Sequence, residues 1–150
     1  MGRQVRMVPP DWQHPEDRRN EYRPLLSGYA AHKEEWLESL QMRGYEETVA
    51  RCGRSPDPLD YMPEFAPGTA THYMMYEDTT EGTPISPAFA TPEELARWLA
   101  DNNASAFARN TATYEQWMAM IVRGWVPSAA IINGEIRSGV EAAADTPPTT

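Results

Sequence analysis

Hydrophobic residues recur at helical spacing in the segment Thr91–Asn102, which also carries start and stop signals. Leu95, Trp98 and Leu99 form one apolar stripe, as expected for a helix that buries a single face. The letters TPEE at the start supply an N-cap threonine, a proline at the first helical position and a glutamate that completes a capping box. An asparagine doublet follows, so the pattern predicts a helix over this segment.

A second helix is predicted over Thr111–Arg123 by the same reasoning. Thr113 is the expected N-cap, Gln116 answers it three residues later, and Gly124 can end the helix in a left-handed conformation. The residues predicted to face inward are Tyr114, Trp117, Met118 and Ile121.

The longest helical pattern runs from Leu25 to about Met42, with Ser27 as a plausible N-cap. Its stripe consists of Tyr29, Lys33, Trp36, Leu37 and Leu40. The acidic residues mostly on the other side are Glu34, Glu35 and Glu38. Gly44 ends or bends the helix, and a second helical piece spans Glu46–Cys52. An αα-hairpin and one bent helix both fit this pattern.

Three segments have the character of strands. Alternation in Arg3–Val8 predicts a short strand at a sheet edge, before two prolines that cannot donate to a ladder. Thr71–Tyr76 is rich in aromatic residues and apolar on both faces, which favours a central strand, and the letters AFA further on could form another short one. The letters SAAII-NG-EIRSG indicate a hairpin with a type I′ turn at Asn133-Gly134.

These elements predict an α+β fold, with a small, mostly antiparallel sheet packed with about three helices and joined by proline-rich loops. The chain has 150 residues, including fourteen prolines, and four of these prolines fall within residues 54–70. One α+β domain is expected over residues 1–141, because neither side of that proline-rich loop looks large enough to fold alone. Residues 142–150, which read AAADTPPTT, are expected to form a disordered tail.

The net charge of −9 disfavours a nucleic-acid backbone as a direct ligand, since neutralising phosphates requires clustered lysine and arginine. It suits a soluble protein or one that binds a basic surface. Cys52 is the only cysteine, so an internal disulfide is excluded, which fits a reducing cytoplasm. No apolar run is long enough to predict a membrane span.

Several stretches resemble a family of uncharacterised proteins from tailed phages and prophages. They read EDTTEGTPISPAFATPEELARWLADNNASAF, TATYEQWMAMI and PSAAIINGEIRSGV, with RQVRMVPPDWQHP, YRPL and DYMPEF in the first half. The similarity extends from Val5 to Val140 and is least typical at residues 43–55. It implies a phage accessory or early gene expressed in the cytoplasm of a bacterial host. It implies no activity, cofactor or catalytic residue that could be assigned to a position here.

The loop after the central strand is the first candidate binding site. Its polar members are Glu77, Asp78, Thr79, Thr80, Glu81, Thr83 and Ser86. Three carboxylates within five residues could hold a cation, but their spacing does not match an EF-hand, so a solvated loop is favoured over a metal site. The hydroxyls precede a helix N-terminus, which favours anions, although the two glutamates in its first turn already answer the helix dipole.

Other candidates are fewer. Trp12, in a proline-rich arm, and Trp125, after Gly124, are the tryptophans expected to be exposed and available as interface anchors. The three histidines are far apart in the sequence and form no metal or catalytic motif, so structural roles are favoured. No cofactor-binding motif is recognised, and no catalytic residue is predicted.

The lead hypothesis is a non-enzymatic phage accessory protein that binds and modulates a host protein. Counter-defence, such as inhibition of a CRISPR or restriction complex, is its expected class, because acidic side chains can occupy a basic nucleic-acid channel. Glu34, Glu35, Glu38 and the Glu77–Glu81 loop are the expected contact residues. The alternatives are a binder or enzyme for a nucleotide-like signal, with Thr79–Ser86 as the lip of its pocket, and a minor virion or assembly component. The oligomeric state stays open.

Overall fold

A computed structural model describes residues 2–77, 82–106, 110–127, 129–132, 135–138 and 140, with the backbone alone for the strands between 125 and 138. The helices are α1 (Tyr29–Arg43), α2 (Tyr45–Cys52), α3 (Pro92–Asp101) and α4 (Tyr114–Arg123), with a short 3-10 helix at Pro58–Asp60. The strands are β1 (Gly2–Val8), β2 (His72–Glu77), β3 (Thr83–Pro84), β4 (Trp125–Pro127), β5 (Ala129–Ile132) and β6 (Glu135–Ser138). Helices beside a small antiparallel sheet confirm the predicted α+β class.

The chain divides into two compact units. The sheet unit consists of Met1–Arg23 and Phe65–Thr150, and the hairpin unit consists of Pro24–Glu64. A single domain over residues 1–141 stays a prediction, and the predicted disordered tail, residues 142–150, lies outside the described residues. No described helix has the length and apolar character needed to cross a bilayer.

In the sheet unit, four antiparallel strands lie in the order β3-β2-β1-β4. The central position predicted for β2 is confirmed, but the edge position predicted for β1 is wrong, because β1 pairs with both β2 and β4. Arg3 and Arg6 on β1 are buried, yet both are accommodated. The Arg3 guanidinium donates to the carbonyl of Ser105 at 2.8 Å, and Arg6 lies over the ring of Tyr76. Partners of this kind make buried charges tolerable in an interior strand.

The core of the sheet unit lies where α3 and α4 pack together beside β2. Its buried members are Met75, Leu95, Ala96, Leu99, Ala106, Trp117, Met120, Ile121 and Val140. The stripe predicted for α3 is confirmed, with Trp98 partly buried against this cluster. In α4, Trp117 and Ile121 are buried as predicted, and Tyr114 and Met118 pack at the margin of the core.

The helix ends agree closely with the sequence signals. The Thr113 hydroxyl accepts from the N–H of Gln116 at 3.2 Å, and the Gln116 side chain accepts from the N–H of Thr113 at 2.8 Å, which completes a capping box. Gly124 ends α4 with φ 83°, a conformation that favours glycine. At α3 only half of the predicted box forms within the described chain, because Thr91 accepts from the N–H of Glu94 without a returning bond.

In the hairpin unit, α1 and α2 are separate helices joined at Gly44, which has φ 81°. Ser27 is not the N-cap, since α1 begins after Gly28. The preceding residues pair elsewhere: the N–H of Leu26 donates to the carbonyl of Asp60 at 2.9 Å, and its carbonyl accepts from the N–H of Met62 at 2.7 Å. This extended pairing occupies the backbone that the predicted helix would have used.

The interior of the hairpin unit differs from the predicted stripe. Trp36 is buried as predicted, but Leu37 is 45% exposed, and Ser39 is buried instead. The Ser39 hydroxyl lies 3.1 Å from the hydroxyl of the buried Thr48. Because α2 packs on the side of α1 that carries Ser39, Leu37 is turned toward solvent.

Two predicted strand features lie near the ends of described segments. β5 and β6 pair as a hairpin with Ile132 opposite Glu135, which confirms the hairpin, while the turn at Asn133-Gly134 lies outside the described residues. The predicted AFA strand is reduced to an isolated bridge between Phe89 and Tyr73.

Candidate functional site

The described part of the predicted acidic loop belongs largely to the sheet. Glu77 is the last residue of β2, stands opposite Arg3 in the strand register and forms an ion pair with it at 3.6 Å. Thr83 lies in β3, opposite Glu77 on its other side. The other polar members, Asp78, Thr79, Thr80 and Glu81, lie outside the described residues. Strand pairing and charge compensation therefore account for Glu77 and Thr83.

Ser86 is buried and has a role in holding the chain in place. Its hydroxyl oxygen accepts from the N–H of Met75 at 2.9 Å, and the hydroxyl donates to the carbonyl of Pro87 at 2.8 Å. The hydroxyl thus continues the hydrogen bonding of β2 beyond the end of β3. With both bonds made inside the protein, it has one acceptor lone pair left for a ligand.

Glu34, Glu35 and Glu38 lie on the exposed side of α1, as predicted. At about 100° per residue, these three residues and Met42 fall within roughly 100° of the helix circumference. Met42 is 78% exposed. No ion pair or hydrogen bond to the three carboxylates is found among the residues that the structure describes. We call this surface, formed by Glu34, Glu35, Glu38 and Met42, the acidic face.

Of the two predicted interface tryptophans, Trp12 can be placed in full. It is partly buried, its indole N–H donates to the hydroxyl of Tyr76 at 3.2 Å, and its ring meets Phe65 edge-on at 5.3 Å. Trp125 pairs with Gln4 through the backbone of β4, and its side chain lies outside the described residues. Trp12 is thus fixed in position, while part of its ring can still reach solvent.

Tyr76 and His14 form a buried polar cluster beside Trp12. The Nδ1 atom of His14 lies 3.0 Å from the hydroxyl of Tyr76, and its Nε2 atom faces the carbonyl of Arg23. Because a carbonyl can only accept, Nε2 must carry the proton of the neutral ring, and Nδ1 then accepts from Tyr76. The Tyr76 hydroxyl therefore donates to His14 and accepts from Trp12. These bonds tie the proline-rich arm to the sheet.

Burial favours the neutral forms of His14 and Tyr76. Burial lowers the pKa of His14, and the nearby Arg6 guanidinium lowers it further, against the opposing effect of the Arg23 carbonyl. Burial raises the pKa of Tyr76, although the bond from Trp12 and the charge of Arg6 act in the opposite direction. The Arg6 guanidinium lies 4.6 Å from the centroid of the Tyr76 ring. A neutral His14 is what the bond from Tyr76 requires.

Acidification is expected to destabilise the protein through His14. Its pKa in the folded protein is lower than the ordinary value of 6.5, so the unfolded chain binds more protons as the pH falls. The stability due to neutral His14 is fully present above about pH 6.5 and is lost as the pH falls through the folded-state pKa. Urea unfolding at a series of pH values measures this loss. In His14→Gln the corresponding slope should disappear, and an unchanged slope in that variant would contradict the assignment.

A cleft of about 970 Å³ opens beside this cluster in the sheet unit. Its aromatic walls are Trp12, His14, Tyr22 and Trp98, and four prolines also line it, namely Pro10, Pro15, Pro84 and Pro87. His14 meets both Trp12 and Tyr22 at nearly perpendicular ring angles, 88° and 87°. We call this feature the aromatic cleft. Its size is near the upper end of the range for ligand pockets, roughly 300–1,000 Å³.

The aromatic cleft is the feature that the sequence reasoning missed. Tyr22 is 50% exposed and lines the cleft. Trp98 was predicted only as part of a core stripe. The proline-rich arm ends more than sixty residues before the segment after β3 and before α3, so no local pattern shows that the arm meets them.

Metal chemistry has no obvious location in the described chain. Within its described ranges, no group of three or more His, Cys, Asp or Glu side chains is arranged to hold a metal ion. In the described part of the chain, the acidic face and the aromatic cleft both present surfaces on which a partner can bind.

Comparisons of the chain with protein-family models, curated proteins and solved structures found no match. The resemblance to tailed-phage proteins stays a prediction from the quoted motifs.

Proposed function

We propose that this protein is a phage-encoded accessory protein that binds and modulates a host protein in the bacterial cytoplasm. Its proposed class is counter-defence, by inhibition of a CRISPR or restriction complex. The observation that carries this proposal is the acidic face of α1, where three exposed carboxylates have no partner among the described residues. The phage resemblance supplies the biological setting.

Among the described residues, the carboxylates of the acidic face make no stabilising contact that would explain their presence. Glu34 and Glu38 stand four residues apart, and like charges at this spacing destabilise a helix by about 0.2–0.5 kcal/mol. Solubility alone would explain surface carboxylates. The same face also carries Met42, whose side chain is 78% exposed. Carboxylates around an apolar side chain are suited to a surface that is basic and partly apolar.

The charge of the hairpin unit supports a basic partner. Residues 24–64 carry eight acidic and four basic residues, so the acidic face belongs to a unit that is negative as a whole. Such a field accelerates association with a basic surface and weakens as salt is added. A protein with a basic nucleic-acid-binding surface is therefore the proposed partner, with the carboxylates occupying phosphate positions.

The nucleotide-binding alternative is less well supported. The Ser86 hydroxyl makes two hydrogen bonds inside the protein, and no lysine or arginine is found among the described residues that line the aromatic cleft. A phosphate would lack its usual cationic partner there. For the virion alternative, mass spectrometry of purified particles is decisive, since an accessory protein is expected to be absent from them.

Affinity capture from bacterial lysate tests the proposal. We expect a specific host protein to be retained at about 50 mM salt and largely released at about 500 mM, as screening predicts for an interface led by charge. In a variant carrying Glu34→Gln, Glu35→Gln and Glu38→Gln, the retained amount should fall roughly tenfold, or about 1.4 kcal/mol in binding free energy.

A matched control removes three exposed acids from the sheet unit through Asp11→Asn, Glu21→Gln and Asp101→Asn. Its net charge equals that of the α1 variant, so equal losses in both would assign the effect to overall charge. Full retention by the α1 variant would contradict the proposal, as would the recovery of no specific partner.

A further inference from the structure

We propose that the aromatic cleft binds an extended, proline-containing segment of a partner protein that carries a lysine or arginine beside its prolines. This proposal concerns a site in the sheet unit. It does not depend on the acidic face or on the phage origin of the chain.

The cleft is built to be rigid. Four prolines line it, and the rings of His14 and Trp12 are fixed by the hydrogen bonds that connect them to Tyr76. A preformed wall reduces the entropy lost when a ligand binds. Polyproline II segments have a matching advantage, because their backbone is already extended before binding.

The donors of the cleft suit a backbone that offers only acceptors. Proline has no N–H, and a polyproline II segment makes no internal hydrogen bonds, so its carbonyls are free to accept. Tyr22 has a hydroxyl and Trp98 has an indole N–H, and neither group has a hydrogen-bond partner among the described residues. Each of these side chains can therefore contribute an apolar ring and a donor to the same ligand.

The charge at the cleft specifies a basic residue in the bound segment. Glu16 is exposed, and it is the only acidic or basic side chain among the described lining residues other than His14, whose neutral form is favoured. An anionic ligand would meet this carboxylate without compensation. A lysine or arginine would meet both the carboxylate and the faces of aromatic rings, which attract cations.

Fluorescence anisotropy with labelled peptides tests the proposal on the full chain. The probe is a proline-rich peptide of about ten residues with one terminal arginine, which spans roughly 30 Å as a polyproline II helix. We expect saturable binding, and at least about fivefold weaker binding of two control peptides, one with alanine in place of proline and one with glutamate in place of arginine. Equal binding of all three peptides, or no saturable binding at about 1 mM, would overturn the proposal.

Variants then locate the site. Tyr22→Ala should weaken binding of the arginine peptide roughly tenfold, while Tyr45→Ala, an exposed tyrosine of the hairpin unit, should change it less than about twofold. Glu16→Gln should reduce the preference for arginine over glutamate while leaving binding to an uncharged proline peptide unchanged.

Trp98→Phe keeps a ring but removes the donor, and it should weaken the binding of all proline peptides alike. Equal effects of Tyr22→Ala and Tyr45→Ala would place binding elsewhere and overturn the assignment, as would a cleft that binds a quaternary ammonium salt but no peptide.

Discussion

Replacing Trp117 by alanine is expected to lower the free energy of unfolding by about 3–5 kcal/mol, the usual cost of deleting a buried aromatic side chain. Trp117 is 0% exposed and lies in the main core cluster of the sheet unit. The total free energy of unfolding of a domain of ordinary size is about 5–15 kcal/mol, so the folded state of this variant should be only marginally stable. Urea unfolding followed by circular dichroism measures the loss.

Trp117→Phe is the informative control. The indole N–H of Trp117 is buried and has no hydrogen-bond partner among the described residues, and an unsatisfied buried donor of this kind costs about 1–3 kcal/mol. Phenylalanine removes that donor and keeps most of the apolar volume, so Trp117→Phe should cost clearly less than Trp117→Ala. Equal losses in the two variants, or a loss below about 1 kcal/mol for alanine, would show that Trp117 does not fill the core.

The same chemical change should have very different effects at two leucines. Leu95→Ala in α3 is expected to cost about 2–5 kcal/mol, because Leu95 is 0% exposed and its removal leaves a cavity. Leu37→Ala in α1 should cost less than about 1 kcal/mol, since Leu37 is 45% exposed and alanine has the higher helix propensity. Thermal unfolding of the two variants under identical conditions provides the comparison.

The leucine pair also tests the fold against the sequence pattern. Periodicity placed both residues on buried stripes, whereas the structure separates them through the packing of α2 on the Ser39 side of α1. A large loss for Leu37→Ala, comparable to that for Leu95→Ala, would support the periodicity and contradict the described packing of the hairpin unit.

The helix ends that depend on neighbouring residues were predicted correctly from the sequence. The capping box of Thr113 and Gln116 and the left-handed Gly124 involve residues no more than a few positions apart, so side-chain chemistry alone selects the geometry. The start of α3 at Thr91 followed for the same reason. Ser27 failed as a cap because its neighbour Leu26 pairs with residues 60 and 62, more than thirty positions away.

The edge position predicted for β1 was wrong because strand pairing is a long-range interaction. The predicted strand Arg3–Val8 would have the same sequence pattern at a sheet edge and in the interior, because the pattern does not identify the neighbouring strands. Its interior position depends on Arg3 and Arg6 finding partners on other segments. The aromatic cleft was missed for the same physical reason, since the arm that forms one wall is far in sequence from the segment after β3 and from α3 that form the others.

Polar residues of the candidate loop were predicted as candidate binding residues, but those that the structure describes make contacts within the fold. Among its described members, Glu77 compensates Arg3, and the Ser86 hydroxyl bonds to backbone on two sides. The acidic residues of α1, in contrast, are exposed and have no partner among the described residues. Their exposure was predicted from periodicity, and the structure adds the exposed Met42 beside them, whose place on that face had not been considered.

Carbodiimide cross-linking of the captured complex tests the central claim most directly, because it joins a carboxylate to a lysine amine without a spacer. Trypsin cleaves after Lys33 and Arg43, so Glu34, Glu35 and Glu38 lie on one peptide, EEWLESLQMR. The proposal predicts that this peptide is joined to lysines of the host partner, and that high salt during the reaction removes the link. Cross-links to the partner that involve only carboxylates outside α1 would contradict it.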